Sequence, residues 1–343
     1  MNFKCISLIS KKKLKIIDED INFKLDDKKV LIKILYSGIC RSQLMEIDML
    51  RGKDMYLPHL LGHEAIGIVK EIGKKIKKVK IGDKVVLSWV KGRGISSKGG
   101  KFNLKNKKTI NYGPIITFSN YAIISEDRCF KVHKNFPNKI GPFFGCSILT
   151  GAGMIFNHTK ILKKHNVVII GIGGIGLAAL LALKCLGKKD ALIIENNKNR
   201  HKLIKKIGFK NIMSSNEKNF YDKIKKITNN KLYDICIESA GKTHTIELGM
   251  SIINNLGKLI FASHPSFNAK IQIDPHDLIK GKMIFGSWGG NSKPDKDIIK
   301  FYNLYKKNNL LRFLNPKVYP FKNIKKAIED FRKGRTLRPV IKM

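Results

Sequence analysis

The stretch that most narrows what this chain can fold into is HNVVIIGIGGIGLAALLALKCLG, residues 165–187. A run of β-branched apolar residues is followed by a glycine turn and then by an apolar helical segment. Gly171, Gly173 and Gly176 fall in the spacing G-x-G-x-x-G, in the strand–turn–helix setting that makes that spacing informative. Gly171 permits a tight turn, Gly173 lets the backbone approach a pyrophosphate, and Gly176 allows the helix to pack closely on its strand. The phosphates are expected at the positive end of that helix, so Gly171, Gly173, Gly174 and Gly176 are candidate cofactor-binding residues. The next strand, DALIIE, ends in Glu195, 19 residues beyond Gly176. A carboxylate there accepts from a ribose 2′-hydroxyl and repels a 2′-phosphate, which favours NAD over NADP. Neighbouring Lys198 and Arg200 soften that preference, and Arg200 is itself a candidate cofactor contact. Strand character recurs in YDICIESAG, GKLIFAS and MIFGSWGG with helical stretches between, the alternation of a doubly wound parallel sheet.

The length of 343 residues exceeds what one core usually holds, so a second domain is expected. The first third supplies it. VLIKILYSG (residues 30–38) and the stretch from Ala65 to Ile72 read as strands, and a turn at Gly82-Asp83 feeds another. These β-rich segments carry a possible metal set. Cys40 follows a strand and a glycine, His63 stands beside Glu64 in LLGHEAIGIVKEIG, and Cys146 opens an apolar segment expected to be helical. Two thiolates and one imidazole suit zinc with a fourth position open, the pattern of a catalytic rather than a structural site. The other cysteines, Cys5, Cys129, Cys185 and Cys236, are far apart and read as buried small hydrophobes.

A net charge of +41 raises nucleic acid or an anionic membrane as partners. Only nine of the 67 basic residues are arginine, the side chain favoured for bidentate phosphate and base recognition, and the lysines run from one end to the other. The excess reads as compositional bias, with neither nucleic acid nor membrane as partner. No apolar run reaches the length of a membrane span and the N-terminal residues do not form a signal peptide, so a cytoplasmic protein is expected. Residues 89–116, rich in Gly and Lys and without periodicity, read as a solvated loop or as a basic lobe attracting an anionic substrate.

With these motifs in order, the chain resembles the zinc-dependent alcohol dehydrogenases of the medium-chain dehydrogenase/reductase superfamily over nearly its whole length. GICRS, GHEAIGIVKEIG, GCSILTGAG, GIGGIG and RTLRPVI carry the likeness. The resemblance implies a GroES-like catalytic domain of residues 1–147, a Rossmann NAD-binding domain of residues 148–286, a return to the catalytic domain over residues 287–343, and an active site in the cleft between the domains. Cys40, His63 and Cys146 match the ligands of one catalytic zinc per chain. Glu64 matches an acid that approaches the metal during ligand exchange, and Ser42 the hydroxyl that takes the substrate proton. Arg41 and Arg338 match residues that pair with the cofactor pyrophosphate, and Thr150 and Ile175 match residues lining the nicotinamide. Lewis-acid activation of an alcohol, proton relay through Ser42 and hydride transfer to NAD follow as the implied mechanism, with a homodimer or homotetramer as the assembly.

Three departures stand out. Gln43 occupies the position of an aspartate that supports the zinc histidine in most relatives, which is expected to make the imidazole less basic. Met45 replaces a histidine that ends the relay in some. Residues 89–116 hold no cysteine, so the structural zinc lobe of many relatives is absent. His59 reads as a surface histidine and Trp288 as a residue packed near the cofactor. The substrate stays open at this level: a small or glutathione-linked alcohol or aldehyde, a sugar or polyol bearing phosphate or nucleotide, or, with chemistry lost, a basic binding protein.

Overall fold

The computed structural model describes residues 1–21, 23–104 and 108–343. The chain forms two compact units: Met1–Cys146 with Lys293–Lys300 and Asn315–Met343, and Ser147–Ser292 with Phe301–Leu314. The second unit thus reaches past residue 286 to Ser292 and takes Phe301–Leu314, which the sequence placed in the returning segment.

The first unit is built on strands. In one sheet β1 (Asn2–Ser10) pairs antiparallel with β2 (Lys13–Asp20) and the order continues through β4 (His59–Leu60), β8 (Thr109–Tyr112) and β7 (Gly100–Asn103). The other sheet runs β10 (Cys129–Lys131), β6 (Lys84–Ser88), β5 (Glu64–Ile72) and β3 (Lys29–Gly38), then the two returning strands Val340–Lys342 and Val318–Pro320; β9 (Tyr121–Ser125) also pairs with β3. Val30, Ile32 and Ile34 of β3, Ala65 and Val69 of β5, and Val85 and Leu87 of β6 form a core with Phe3, Cys5 and Phe102, all buried. The alternation that buries these residues follows from the period-two geometry of strands, and it sets the register. Ser37 lies opposite Ala65, so the carboxyl end of β3 and the start of β5 lie side by side. Cys40 follows the first and His63 precedes the second, so the register alone brings those two residues into one neighbourhood.

Residues 89–116 are more ordered than a solvated loop. β7 and β8 form an antiparallel ladder from Gly100 opposite Tyr112 to Asn103 opposite Thr109, with Phe102 and Ile110 buried and the Phe102 and Tyr112 rings stacked at 4.5 Å. Residues 105–107 of this basic stretch lie outside the described residues.

The second unit is a parallel six-stranded sheet in the order β13 (Ile212–Met213), β12 (Leu192–Ile194), β11 (Val167–Ile170), β14 (Tyr233–Glu238), β15 (Ile253–Phe261), β16 (Met283–Gly286). Strand order reverses beside β11, the position at which open parallel sheets bind ligands beyond their carboxyl ends. The inner strands β11 and β12 are wholly buried apolar runs, as both-face burial demands.

Candidate functional site

α1 (Arg41–Ile47) begins immediately after Cys40, which stands at its N-cap with extended backbone (φ −105°, ψ 159°). Gln43, in the first turn, accepts the Cys40 N–H on Oε1 at 2.9 Å, and its Nε2 lies 2.6 Å from His63 Nδ1. One buried amide therefore ties two candidate ligands together. Cys146 is fixed from elsewhere: Ser88 Oγ at the end of β6 donates to Gly145 O at 2.6 Å, and a Cβ on Gly145 would lie 2.1 Å from Leu87 O. Glycine is thus required for the segment carrying Cys146 to close against β6.

These constraints converge. The Cys40, His63 and Cys146 ligand atoms all lie within 4.8 Å of one another, and the two sulfurs are 3.9 Å apart. Tetrahedral coordination with metal–sulfur bonds of about 2.3 Å places two sulfurs ~3.8 Å apart, so the spacing fits zinc. His63 Nε2 is buried with no hydrogen-bond partner, a costly state for an imidazole nitrogen unless it serves as a ligand. A hydrogen bond from the Cys146 thiol holds Cys40 well below the usual thiol range against the opposing effect of burial, and leaves Cys146 raised.

Glu64, the first residue of β5, is fully buried. Its Oε1 accepts from Arg338 Nη2, while Oε2 has no hydrogen-bond partner. Burial pushes its carboxyl up, opposed by the Arg338 charge. Arg338 is 7% exposed and its guanidinium lies 5.3 Å over the Phe143 ring, so its immediate partner is Glu64. Nothing in the sequence signalled this pair, whose members are 274 residues apart. Ser42 Oγ lies 3.4 Å from His63 Nδ1, half-buried on α1, and Arg41 is exposed on the same helix. Met45 is buried in the core and so presents nothing to a proton relay. His59 pairs with Asp54 at 2.7 Å and approaches Leu60 O at 2.9 Å, half-buried and engaged away from the cysteine–histidine set.

In the second unit, Ile170 ends β11 and α3 runs Gly174–Cys185. Gly171 has φ +84° and turns the chain between them. A Cβ at Gly176 would lie 2.0 Å from Gly171 O and 2.6 Å from Ser239 Oγ, so helix and turn touch. At Gly173 a Cβ would meet nothing within 4 Å, which leaves the backbone open where a pyrophosphate is expected. Ser239 Oγ donates to Gly171 O at 2.6 Å and braces the turn, a contact the sequence did not suggest. α2 (Ser147–Gly153) carries buried Thr150, and a Cβ on Gly151 would lie 2.2 Å from Ile175 O, so Thr150 and Ile175 stand on abutting elements. Glu195 Oε2 accepts the Ile172 N–H of the glycine turn at 2.7 Å and Arg200 Nη1 at 3.1 Å. Trp288 is 67% exposed, with its ring centroid 6.4 Å from that of His264 and the two rings steeply inclined.

Residues 26–134 match the profile of the alcohol dehydrogenase GroES-like domain, and residues 174–305 that of the zinc-binding dehydrogenases. The chain belongs to the zinc-type alcohol dehydrogenases. Among curated members of that family, an alcohol dehydrogenase of Malus domestica is 27% identical, with 92% of this chain and 90% of the relative aligned. The benzyl alcohol dehydrogenase of Acinetobacter calcoaceticus superposes with a TM-score of 0.88 at 28% identity, covering 100% of this chain and 99% of that one. The CAD of Helicobacter pylori, solved with NADP(H), shares the fold at a TM-score of 0.76 and 21% identity, over 100% and 98% of the two chains. The chain is accordingly an oxidoreductase with a GroES-like unit and a Rossmann unit. Among the described residues no helix is long and apolar enough to cross a membrane.

Proposed function

We propose that the chain is a zinc-dependent, NAD-using dehydrogenase that exchanges hydride between a small alcohol and its aldehyde or ketone. The observation that carries this reading is the cysteine–histidine–cysteine set, with sulfurs 3.9 Å apart and an unpartnered buried imidazole nitrogen. Cys40, His63 and Cys146 would hold the ion. When bound, zinc supplies Lewis-acid polarisation of the substrate oxygen, which lowers the alcohol pKa toward neutrality.

The residues around it have separate tasks. Ser42 would receive the substrate proton on Oγ, within reach of His63 Nδ1 at 3.4 Å. Gln43 would orient the imidazole and the Cys40 backbone together. Glu64 would offer Oε2 near the ligands while Arg338 holds Oε1. Gly171, Gly173, Gly174 and Gly176 would cradle the cofactor pyrophosphate, helped by Arg41 and Arg338. Thr150 and Ile175 would line the nicotinamide, and Glu195 would accept from the adenosine ribose, with Arg200 beside it. A homodimer or homotetramer suits β16, an edge strand on which Phe285 is exposed, and the chain would work in the cytoplasm.

Cys146→Ala is the test. Expected is loss of bound zinc and of alcohol oxidation, with NADH binding, followed by its fluorescence, within about threefold of the parent. Undiminished turnover in the variant would sink the zinc mechanism, and loss of NADH binding alongside a folded protein would separate the dinucleotide reading from it.

A further inference from the structure

We infer that Arg200 sets the cofactor choice of this chain and that the adenosine-ribose corner accepts NADP as well as NAD. The inference rests on the dinucleotide reading proposed above.

Glu195 is not a free carboxylate awaiting a ribose. Oε2 already accepts from Ile172 N–H at 2.7 Å and from Arg200 Nη1 at 3.1 Å, and Oε1 accepts from Asn197 N–H at 2.8 Å. A carboxylate offers about four acceptor sites, so three are in use and one remains for a ribose hydroxyl. A grip on both hydroxyls at once would require Arg200 to leave. The carboxylate is 6% exposed and carries the guanidinium as its direct counter-ion, which weakens the repulsion that an isolated carboxylate would exert on a 2′-phosphate.

The neighbouring charges point the same way. α4 (Lys198–Ile207) starts with Lys198 and Arg200 in its first turn and has no acidic residue there. Cations at a helix N-terminus oppose the helix dipole, and an anion seated among them reverses that penalty. The N-cap offers no competing anion: the Asn197 side chain accepts the Asn199 N–H at 3.0 Å. Glu195 brings one negative charge against two positive side chains and the helix terminus. A dianionic 2′-phosphate draws Arg200 away from Glu195 and gains a bidentate, charge-assisted partner, with exposed Lys198 adjacent. Without that phosphate, Arg200 stays on Glu195 and the remaining acceptor site takes a hydroxyl. One arginine thus serves both cofactors by changing partner.

Binding is read directly, by fluorescence titration of NADH and NADPH into the purified protein without substrate. The wild type is expected to bind the two with dissociation constants within about tenfold of each other. Arg200→Gln is expected to weaken NADPH at least tenfold more than it weakens NADH. Arg200→Lys should fall between parent and Gln variant for NADPH, because it keeps the charge and loses the fork. Glu195→Gln should tighten NADPH by releasing Arg200. A wild-type preference for NADH above a hundredfold, or equal losses for both cofactors in Arg200→Gln, overturns the inference alone. Absence of binding by either dinucleotide overturns it together with the reading on which it rests.

Discussion

Glu126→Gln is the perturbation whose consequence follows most directly from the first unit. The Lys77 and Lys78 N–H groups donate to Glu126 Oε1 at 2.7 and 2.6 Å, and the Ile95 N–H donates to Oε2 at 2.7 Å. The residue is 2% exposed. Around it, Arg93 N–H donates to Asp295 Oδ2 at 2.7 Å and Lys78 Nζ bridges Asp295 and Arg93 O. These carboxylates anchor the start of the 89–116 segment, where many relatives are expected to use a structural zinc. A glutamine keeps one oxygen for Lys77 and Lys78, but its NH2 then faces the Ile95 N–H. One buried donor loses its acceptor, at about 1–3 kcal/mol, and two bonds lose charge assistance, at roughly 1 kcal/mol each. The expected loss is therefore about 3–5 kcal/mol at pH 7. Burial acts to raise the Glu126 carboxyl, but the donors at Ile95, Lys78 and Lys77 outweigh it and hold it below its ordinary 4.5. A carboxylate depressed in the folded state stabilises above its unfolded value, and that contribution fades as pH falls below 4.5 through the folded value. Guanidinium unfolding followed by Trp89 fluorescence, in a Trp288→Phe background that leaves one tryptophan, reads this unit. A variant within about 1 kcal/mol of its parent at pH 7, or one whose deficit does not shrink in acid, refutes the anchoring account.

Three further outcomes are expected. Gln43→Glu supplies acceptors for both the Cys40 N–H and a His63 Nδ1–H, which frees Nε2 for the metal, so zinc affinity measured against a competing chelator should rise about tenfold; unchanged or weaker affinity contradicts the role given to the amide. Gly176→Ala forces a methyl to within 2.0 Å of Gly171 O and should cost several kcal/mol of stability in denaturant unfolding or prevent folding. Gly173→Ala points its methyl into open space, so it should keep parental stability while NADH affinity falls at least tenfold; a stable variant with parental affinity would place the pyrophosphate elsewhere.

What the sequence disclosed depended on distance along the chain. The glycine turn was legible because Gly171, Gly173 and Gly176 act within six residues, and each spacing maps to one steric demand. Cys40, His63 and Cys146 were legible only as a motif, since their meeting needs the β3–β5 register and the contact of residues 145–146 with β6. Arg338 was read as a pyrophosphate ligand from its motif; its bond to Glu64, which links β5 to the segment before the last strand, leaves no local trace in the sequence. The hairpin of β7 and β8 was hidden because Gly, Lys and Asn dilute two four-residue strands whose stability comes from Phe102 and Ile110 entering a core formed elsewhere. Met45, which the sequence marked as replacing a relay histidine, is a core residue that α1 turns inward.

The acids explain how a chain of net charge +41 keeps a defined interior. With 26 carboxylates against 67 basic residues, each acid placed inside is costly unless donors surround it. Several buried ones meet that condition, whereas Glu64 keeps Oε2 without a hydrogen-bond partner. Glu238 Oε1 accepts from the Ala240 and Gly241 N–H groups and from Thr245 Oγ1, all at 2.8 Å, closing the turn after β14. Asp330 takes Tyr319 Oη at 2.8 Å and Arg335 at 3.2 Å, fixing a returning strand to its helix. Asp297 Oδ2 accepts the Lys293 N–H at 2.7 Å. Glu126 and Glu195 do the same at the two places argued above, so, while acids such as Asp18, Asp83 and Glu217 pair with lysines, Glu126, Glu195, Glu238 and Asp297 hold backbone donors. Such bonds lie inside the protein, where salt screens weakly, while the lysines repel one another across water, where it screens strongly. The positive charge can therefore accumulate on the surface without loosening the turns that hold the candidate metal and cofactor residues, because the forces that hold those turns do not pass through it.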